Sequence, residues 1–292
     1  MSLSAILKFI VNHPLSRNNK FGAVLRFIKW QLNVRINPYP VIYPFTDKAL
    51  LIVKKGMSGA TGNLYCGLHE FNDMGFLLHL LRSSDLFVDI GANIGSYTVL
   101  SAAHVGAQTI SFEPVPATYA HLVRNILINQ VQDRATPLNM ALGAKKGTIE
   151  FTSTLDSMNH VATSEDKDKI KVEISTLDER IGERTPALLK IDVEGFETEV
   201  INGAKNTLAK SGLKAIIIEL NNSGARYGYD ERKIHETFLS AGFAPYLYDP
   251  MKRILTKAGT FGFHNTIYIR DLAFVEERLR RAEKFVVLNQ AI

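Results

Sequence analysis

Cysteine is almost missing: the 292 residues include one, Cys66. A lone thiol excludes an intrachain disulfide framework and a cysteine-built zinc site, and it fits a reducing, cytoplasmic compartment. Long apolar runs are missing too, although 46% of residues are hydrophobic. The opening stretch from Ala5 to Val11 is short and carries Lys8; it neither spans a bilayer nor ends in the small-residue site of a cleaved leader. Charge of one sign is scarce as well. Thirty-four Lys and Arg stand against 29 Asp and Glu, leaving +5, which describes a solvated basic surface better than a polyanion-binding one. Nucleic acid is therefore not expected as a partner. Internal repeats and low-complexity tracts are absent, and no pattern specifies an oligomeric state.

The residues present divide at about position 70. Residues 1–35 predict two short helices broken by His13-Pro14. The second, Phe21 to Leu32, sets Leu25, Phe27, Ile28 and Trp30 beside Arg26 and Lys29. It reads as a helix docked on its own domain, with peripheral contact to the inner membrane face as the alternative. Residues 36–70, with Pro38, Pro40, Pro44, Gly56, Gly59, Gly62 and Gly67, predict short strands and loops. From residue 71 to 292 strands alternate with helices: strands near 86–90, 109–112, 136–141, 187–191, 214–220, 243–248 and 266–269, helices near 71–82, 94–104, 117–129, 196–208, 231–241 and 271–285. That alternation implies crossover units and an α/β fold with a doubly wound, mostly parallel sheet. Residues 148–153 and 171–175 read as an inserted hairpin, with the polar segment between them looping over the sheet's working edge.

The sharpest local signal is LFVDIGANIGSYT, residues 86–98. A buried strand runs into Gly91-Ala92-Asn93-Ile94-Gly95 and a helix follows, so the backbone turns tightly where open α/β sheets bind ligands. Glu113 ends the next strand, in TISFEPVP, where a carboxylate accepts hydrogen bonds from both hydroxyls of a ribose. Nicotinamide dinucleotides and S-adenosylmethionine both carry such a ribose. The dinucleotide fingerprint G-x-G-x-x-G is incomplete, because Asn93 and Thr98 stand at its second and third glycines. Asp89 beside the turn repels a pyrophosphate and suits the ammonium of a sulfonium amino acid. These residues favour S-adenosylmethionine.

VDIGANIGSYT (88–98), FEPVPATYAHLVRNILIN (112–129), NMALG (139–143), STLDE (175–179) and LKIDVEGFETEVINGA (189–204) together resemble the FkbM family of methyltransferases over roughly residues 86–220. The resemblance implies a seven-stranded, Rossmann-like class I methyltransferase sheet, methyl transfer to oxygen on glycans or natural products, and S-adenosylmethionine as cofactor. It places Asp89, Gly91, Asn93 and Gly95 at the methionine part, Glu113 at the ribose with Pro114 shaping the turn, and Asn139 and Ala141 near the adenine. Glu70 matches an acidic residue that often precedes the family's core. Asp192 and Glu194 would face the methyl group or the acceptor. The Asp/Asn-Pro-Pro-Tyr/Phe element and the Pro-Cys nucleophile of base-methylating enzymes are both missing, so methylation of nucleic acid or protein is the lesser reading. A non-catalytic membrane-surface protein retaining the cofactor fold is another.

Asp192 and Glu194 follow the apolar run ALLKI, at the carboxyl end of a central strand. A carboxylate there can take the proton of an attacking hydroxyl; the competing reading makes Asp192 a helix cap and Glu194 surface charge. Asp192 with Glu219 and Asn221 could hold Mg²⁺, but Lys190 could pair with these carboxylates instead, and no metal ligand is assigned. His69, His160 and His264 are alternative bases. Tyr97 is expected to pack within its helix, and Cys66, lacking a base partner, to be inert. The acceptor, a small molecule or a glycan, would be met by the opening segment and the 154–170 loop.

Overall fold

The computed structural model describes residues 2–155, 158–262 and 265–292. Eight strands form the main sheet: β1 (Leu86–Ile90), β2 (Gln108–Phe112), β3 (Ala135–Leu138), β4 (Leu188–Ile191), β5 (Ala215–Glu219), β6 (Ala244–Asp249), β7 (Ile254–Lys257) and β8 (Asn265–Ile269). Their order is β7-β6-β8-β5-β4-β1-β2-β3. The five from β5 to β3 are parallel, while β8 runs antiparallel to both β5 and β6. Val88, Ile90, Leu189, Ile191, Ile216 and Ile218 are buried on one face, and Phe87, Leu188, Ala215 and Ile217 on the other. Burial on both faces is why these strands read as continuous apolar runs.

The doubly wound α/β sheet matches the expectation in kind but has eight strands rather than seven. The addition, β7, forms a hairpin with β6, pairing Tyr246 with Lys257 and Asp249 with Ile254. It is an outer edge strand with little burial, so it lacks the apolar alternation by which a strand is recognised. The third strand is also shorter than expected. It stops at Leu138, and Ala141–Leu142 crosses to a separate three-stranded sheet with Gly147–Thr152 and Lys169–Ser175. The last two are the inserted hairpin. Asp156 and Ser157, in the loop between them, lie outside the described residues.

The chain winds from β1 to β2 and β3 on one side, then crosses back to place β4 on the other side of β1. The carboxyl ends of β1 and β4 therefore part at a topological switch point, where a crevice opens.

Helices α1 (Leu3–Asn12) and α2 (Lys20–Ile36) flank the break at His13-Pro14. Two short strands, Val41–Pro44 and Leu50–Val53, pair antiparallel. Then α3 (Ser58–Cys66) forms where loops were expected. Two glycines lower its intrinsic propensity, but Leu64, Tyr65 and Cys66 are buried. At Gly62 a Cβ would stand 2.5 Å from the His69 ring, so packing requires the residue that propensity disfavours. α4 (Phe71–Leu80) lies against β6 and the closing helix Leu272–Arg281. Ile10, Leu15, Phe27, Trp30, Leu51 and Leu64 share one apolar cluster with Phe76, Phe87, Leu188 and Tyr248. The first 70 residues thus build on the same core as the sheet. Among the described residues no helix is long and apolar enough to cross a membrane.

Candidate active site

The turn after β1 is shaped by the approach of β4. Gly91 has φ +80°, and a Cβ there would lie 1.8 Å from the Asp192 carbonyl oxygen; only glycine permits that contact. Asn93 follows at φ +51°, its Oδ1 accepting from the Ile94 N–H at 2.7 Å, the local bond that lets asparagine adopt this conformation. The helix then starts at Ser96–Val99, labelled α5, and widens into a π-turn over Leu100–Val105.

Glu113 leaves the end of β2 and folds back beneath this turn. Its Oε2 accepts from the Asn93 N–H and its Oε1 from the Val115 N–H, both at 2.9 Å. Each oxygen keeps a further lone pair, and the residue borders a narrow cleft with Asn93, Pro114, Thr118, Phe151 and Asn159. Burial pushes its carboxyl up to about 7. An adjoining apolar slot runs between Ile90, Pro114, Met140, Ala141, Phe151 and Phe196. Asn139 donates its amide to the Glu113 and Pro114 carbonyls, at 2.8 and 3.0 Å, and so holds the loop that borders the slot.

The principal cavity, about 320 Å³, opens on the other side of the turn. Among the described residues, Glu70, Asp89, Asp192, Glu194 and Glu219 line it, against one ammonium, Lys190. Asp89 is buried; its Oδ2 accepts from Thr98 Oγ1 at 2.7 Å, and burial raises its carboxyl to about 6 despite that bond. Lys190 Nζ donates to Asp192 Oδ2 at 2.8 Å and stands over the Tyr97 ring. Burial alone would lower the Lys190 pKa, but Asp192, Glu70 and Glu219 outweigh it and hold the ammonium above its ordinary value. Burial, then Asp192, raises both Glu194, to about 7, and Glu219.

Glu70 accepts from the Tyr97 hydroxyl at 2.8 Å and the Asn265 amide at 2.7 Å. Tyr97 is buried, as packing predicts, but its ring also borders the cavity and its hydroxyl is held by Glu70. Its partner stands 27 residues earlier, just before α4, which strand-to-helix spacing does not show. Glu197 was not anticipated at all. Buried, it accepts from the Val193 and Gly195 N–H groups and braces the loop carrying Asp192 and Glu194. Asp192, Glu194 and Glu219 place oxygens within 4.8 Å of one another. Asn221, expected as the neighbour of Glu219, instead accepts from the Ser223 N–H at 2.9 Å; its turn directs it away. Lys190 supplies the positive charge among these carboxylates.

Of the histidines, His69 borders the cavity beside Ser58, Asn63 and Glu70, and burial lowers its pKa. His160 lies outside the cavity with Nδ1 2.9 Å from the Met158 carbonyl, and His264 is outside the described residues. Burial pushes the Cys66 thiol up to about 12, consistent with an inert cysteine. Ser58 and Asn63 come from α3, Phe151 and Asn159 from the inserted hairpin; nothing in their local sequence marks them. Lys190 did carry a signal, as a charge inside an apolar strand.

Residues 89–245 match the Methyltransferase FkbM domain. The chain belongs to the FkbM methyltransferase family. This FkbM-family chain is 28% identical over 148 residues to the hexuronic acid methyltransferase AglP of Haloferax volcanii, a match covering 50% of the chain and 59% of the relative. It is 29% identical over 172 residues to the 31-O-demethyl-FK506 methyltransferase FkbM of Streptomyces tacrolimicus, covering 47% and 66%. The chain thus spans less than two thirds of each relative's length. A crystal structure of Methyltransferase FkbM from Methylobacillus flagellatus KT aligns with 17% identity and a TM-score of 0.46, covering 73% of this chain and 55% of that one.

Proposed function

We propose that this chain transfers the methyl group of S-adenosylmethionine to a hydroxyl oxygen of a sugar-like or other small polyhydroxylated acceptor. The observation that carries this reading is the charge of the principal cavity, five carboxylates to one ammonium among the described residues at the end of β1 and β4. Such a lining repels a pyrophosphate and attracts a ligand bearing a sulfonium and an ammonium. The remaining parts fit the same molecule. Glu113 has lone pairs free for two ribose hydroxyls, and the apolar lining beside Ala141 and Pro114 would meet the adenine. Asp89, the Gly91–Gly95 turn and Glu70 lie where the amino acid end would be held. The name of the Streptomyces relative supports oxygen as the acceptor atom.

Bound there, S-adenosylmethionine supplies an electrophilic methyl group. The protein's part is to align an oxygen with it and to take that oxygen's proton. Asp192 is held in place by Lys190 and orients the hydroxyl. Glu194, its carboxyl raised to about 7, is matched to accept a proton near neutral pH. Ser58, Asn63 and His69 offer polar contacts for the rest of the acceptor.

Calorimetry tests the cofactor assignment: S-adenosylhomocysteine binds and NAD does not. Tight NAD binding with no response to S-adenosylhomocysteine sinks it. A second expectation concerns pH. Asp89 and Glu194, raised to about 6 and 7, hold protons near and below those values, and a cationic ligand must displace them. Affinity for S-adenosylmethionine therefore falls as pH drops through about 7 to 6. Titrations at about pH 6.5 in buffers of different ionisation heat should report net proton release. Release of none would show that these carboxyls do not face the sulfonium or its ammonium.

A further inference from the structure

Helix α2 has two apolar faces, and only one is covered. Ala23, Phe27 and Trp30 pack inward, with the Phe27 ring edge-on to Tyr65 at 5.2 Å. Phe21, Leu25, Ile28, Leu32 and Ile36 point the other way and are 80, 37, 46, 54 and 84% exposed. At about 100° per residue these five fall within an arc of about 80°, opposite the buried face. Lys29 and Arg35, both exposed, flank that arc at its two edges.

The charge of this segment is one-sided. Residues 1–46 hold six Lys and Arg and no Asp or Glu, leaving 28 basic against 29 acidic residues in the remainder. The helix's own stability does not explain the bias. Lys20 opens α2, and its first turn has no acidic residue, an arrangement that opposes the helix dipole. A self-complementary contact between two copies would set basic stripe against basic stripe. An anionic surface with an apolar interior satisfies both features at once.

We propose that α2 docks this protein on an anionic lipid bilayer, with Phe21, Leu25, Ile28, Leu32 and Ile36 entering the acyl boundary and Lys29 and Arg35 meeting headgroup phosphates. The stripe lies one helix away from the principal cavity. Arg26 Nε donates to the Tyr65 carbonyl at 2.9 Å and Gln31 to the Tyr65 hydroxyl at 3.1 Å, fastening α2 to α3, whose Ser58 and Asn63 line the cavity. Bilayer binding is independent of methyl transfer and is read without it.

The test is co-sedimentation of the full chain with phosphatidylcholine vesicles, with and without phosphatidylglycerol. The chain pellets with the anionic vesicles, stays in solution with the neutral ones, and is released by high salt. Two variants, Leu25→Ser/Ile28→Ser/Leu32→Ser and Lys29→Glu/Arg35→Glu, each weaken partitioning more than about tenfold, with unchanged circular dichroism and S-adenosylhomocysteine binding. If the serine variant misfolds, the charge reversal alone decides. No binding to anionic vesicles overturns the proposal, as does binding undiminished by the substitutions. So does a dimer in sedimentation velocity that the serine variant makes monomeric, since the stripe would then belong to a second copy.

Discussion

Glu194→Gln should lower the rate of methyl transfer by about a thousandfold, within the range for loss of a general base, while S-adenosylhomocysteine affinity changes little. The amide keeps the size of the side chain but cannot take a proton. The measurement is transfer of a labelled methyl group to the acceptor identified from a panel of glycans and hydroxylated small molecules. The pH profile separates this role from a merely structural one. Burial, reinforced by Asp192 and opposed by Arg226, sets the Glu194 carboxyl at about 7. The base must be ionised, so the wild-type rate falls as pH drops below about 7 and levels off above it. That acidic arm disappears in the Gln variant. Removing the guanidinium in Arg226→Ala raises the Glu194 pKa and moves the arm to higher pH. A Gln variant retaining both the rate and the acidic arm would pass the proton to Asp192 or His69 instead.

Glu113→Ala should weaken S-adenosylhomocysteine binding by about a hundredfold. A hydrogen bond to a charged group contributes roughly 1.5–3 kcal/mol, and two ribose hydroxyls would be lost together. The substitution also strands the Asn93 and Val115 N–H groups that the carboxylate now accepts, so stability falls as well. Calorimetry below the thermal transition of each variant separates the two effects, and Glu113→Gln, which keeps an acceptor oxygen, should be intermediate. Binding unaffected by either substitution, or a complex with the ribose away from Glu113, would remove the basis of the cofactor assignment.

The segments legible without coordinates are those whose conformation is dictated locally. An apolar run ending in Asp89 and Gly91 is a buried strand entering a turn that needs positive φ. Glu113 closes the next apolar run, and Asp192 the one at β4. Strand ends in a parallel sheet share one edge, so the spacing of these runs was enough to bring the acidic groups together. Edge strand β7 and helix α3 escaped because neither carries a pattern of its own. β7 packs too little to alternate, and α3 is helical against its glycines because its neighbours bury it. Tyr97 and Asn265, both on Glu70, are far apart in the chain and meet only through the winding of the sheet.

By itself, the amino-acid sequence determined the doubly wound α/β architecture, the glycine turn and the family, because backbone conformation and burial period are written residue by residue. The tertiary structure alone decided what encloses the cavity, its wall from α3 and its bracing by Glu197, and which face of α2 stays uncovered. Those depend on which groups share a volume and exclude water from it, a property that no single segment contains.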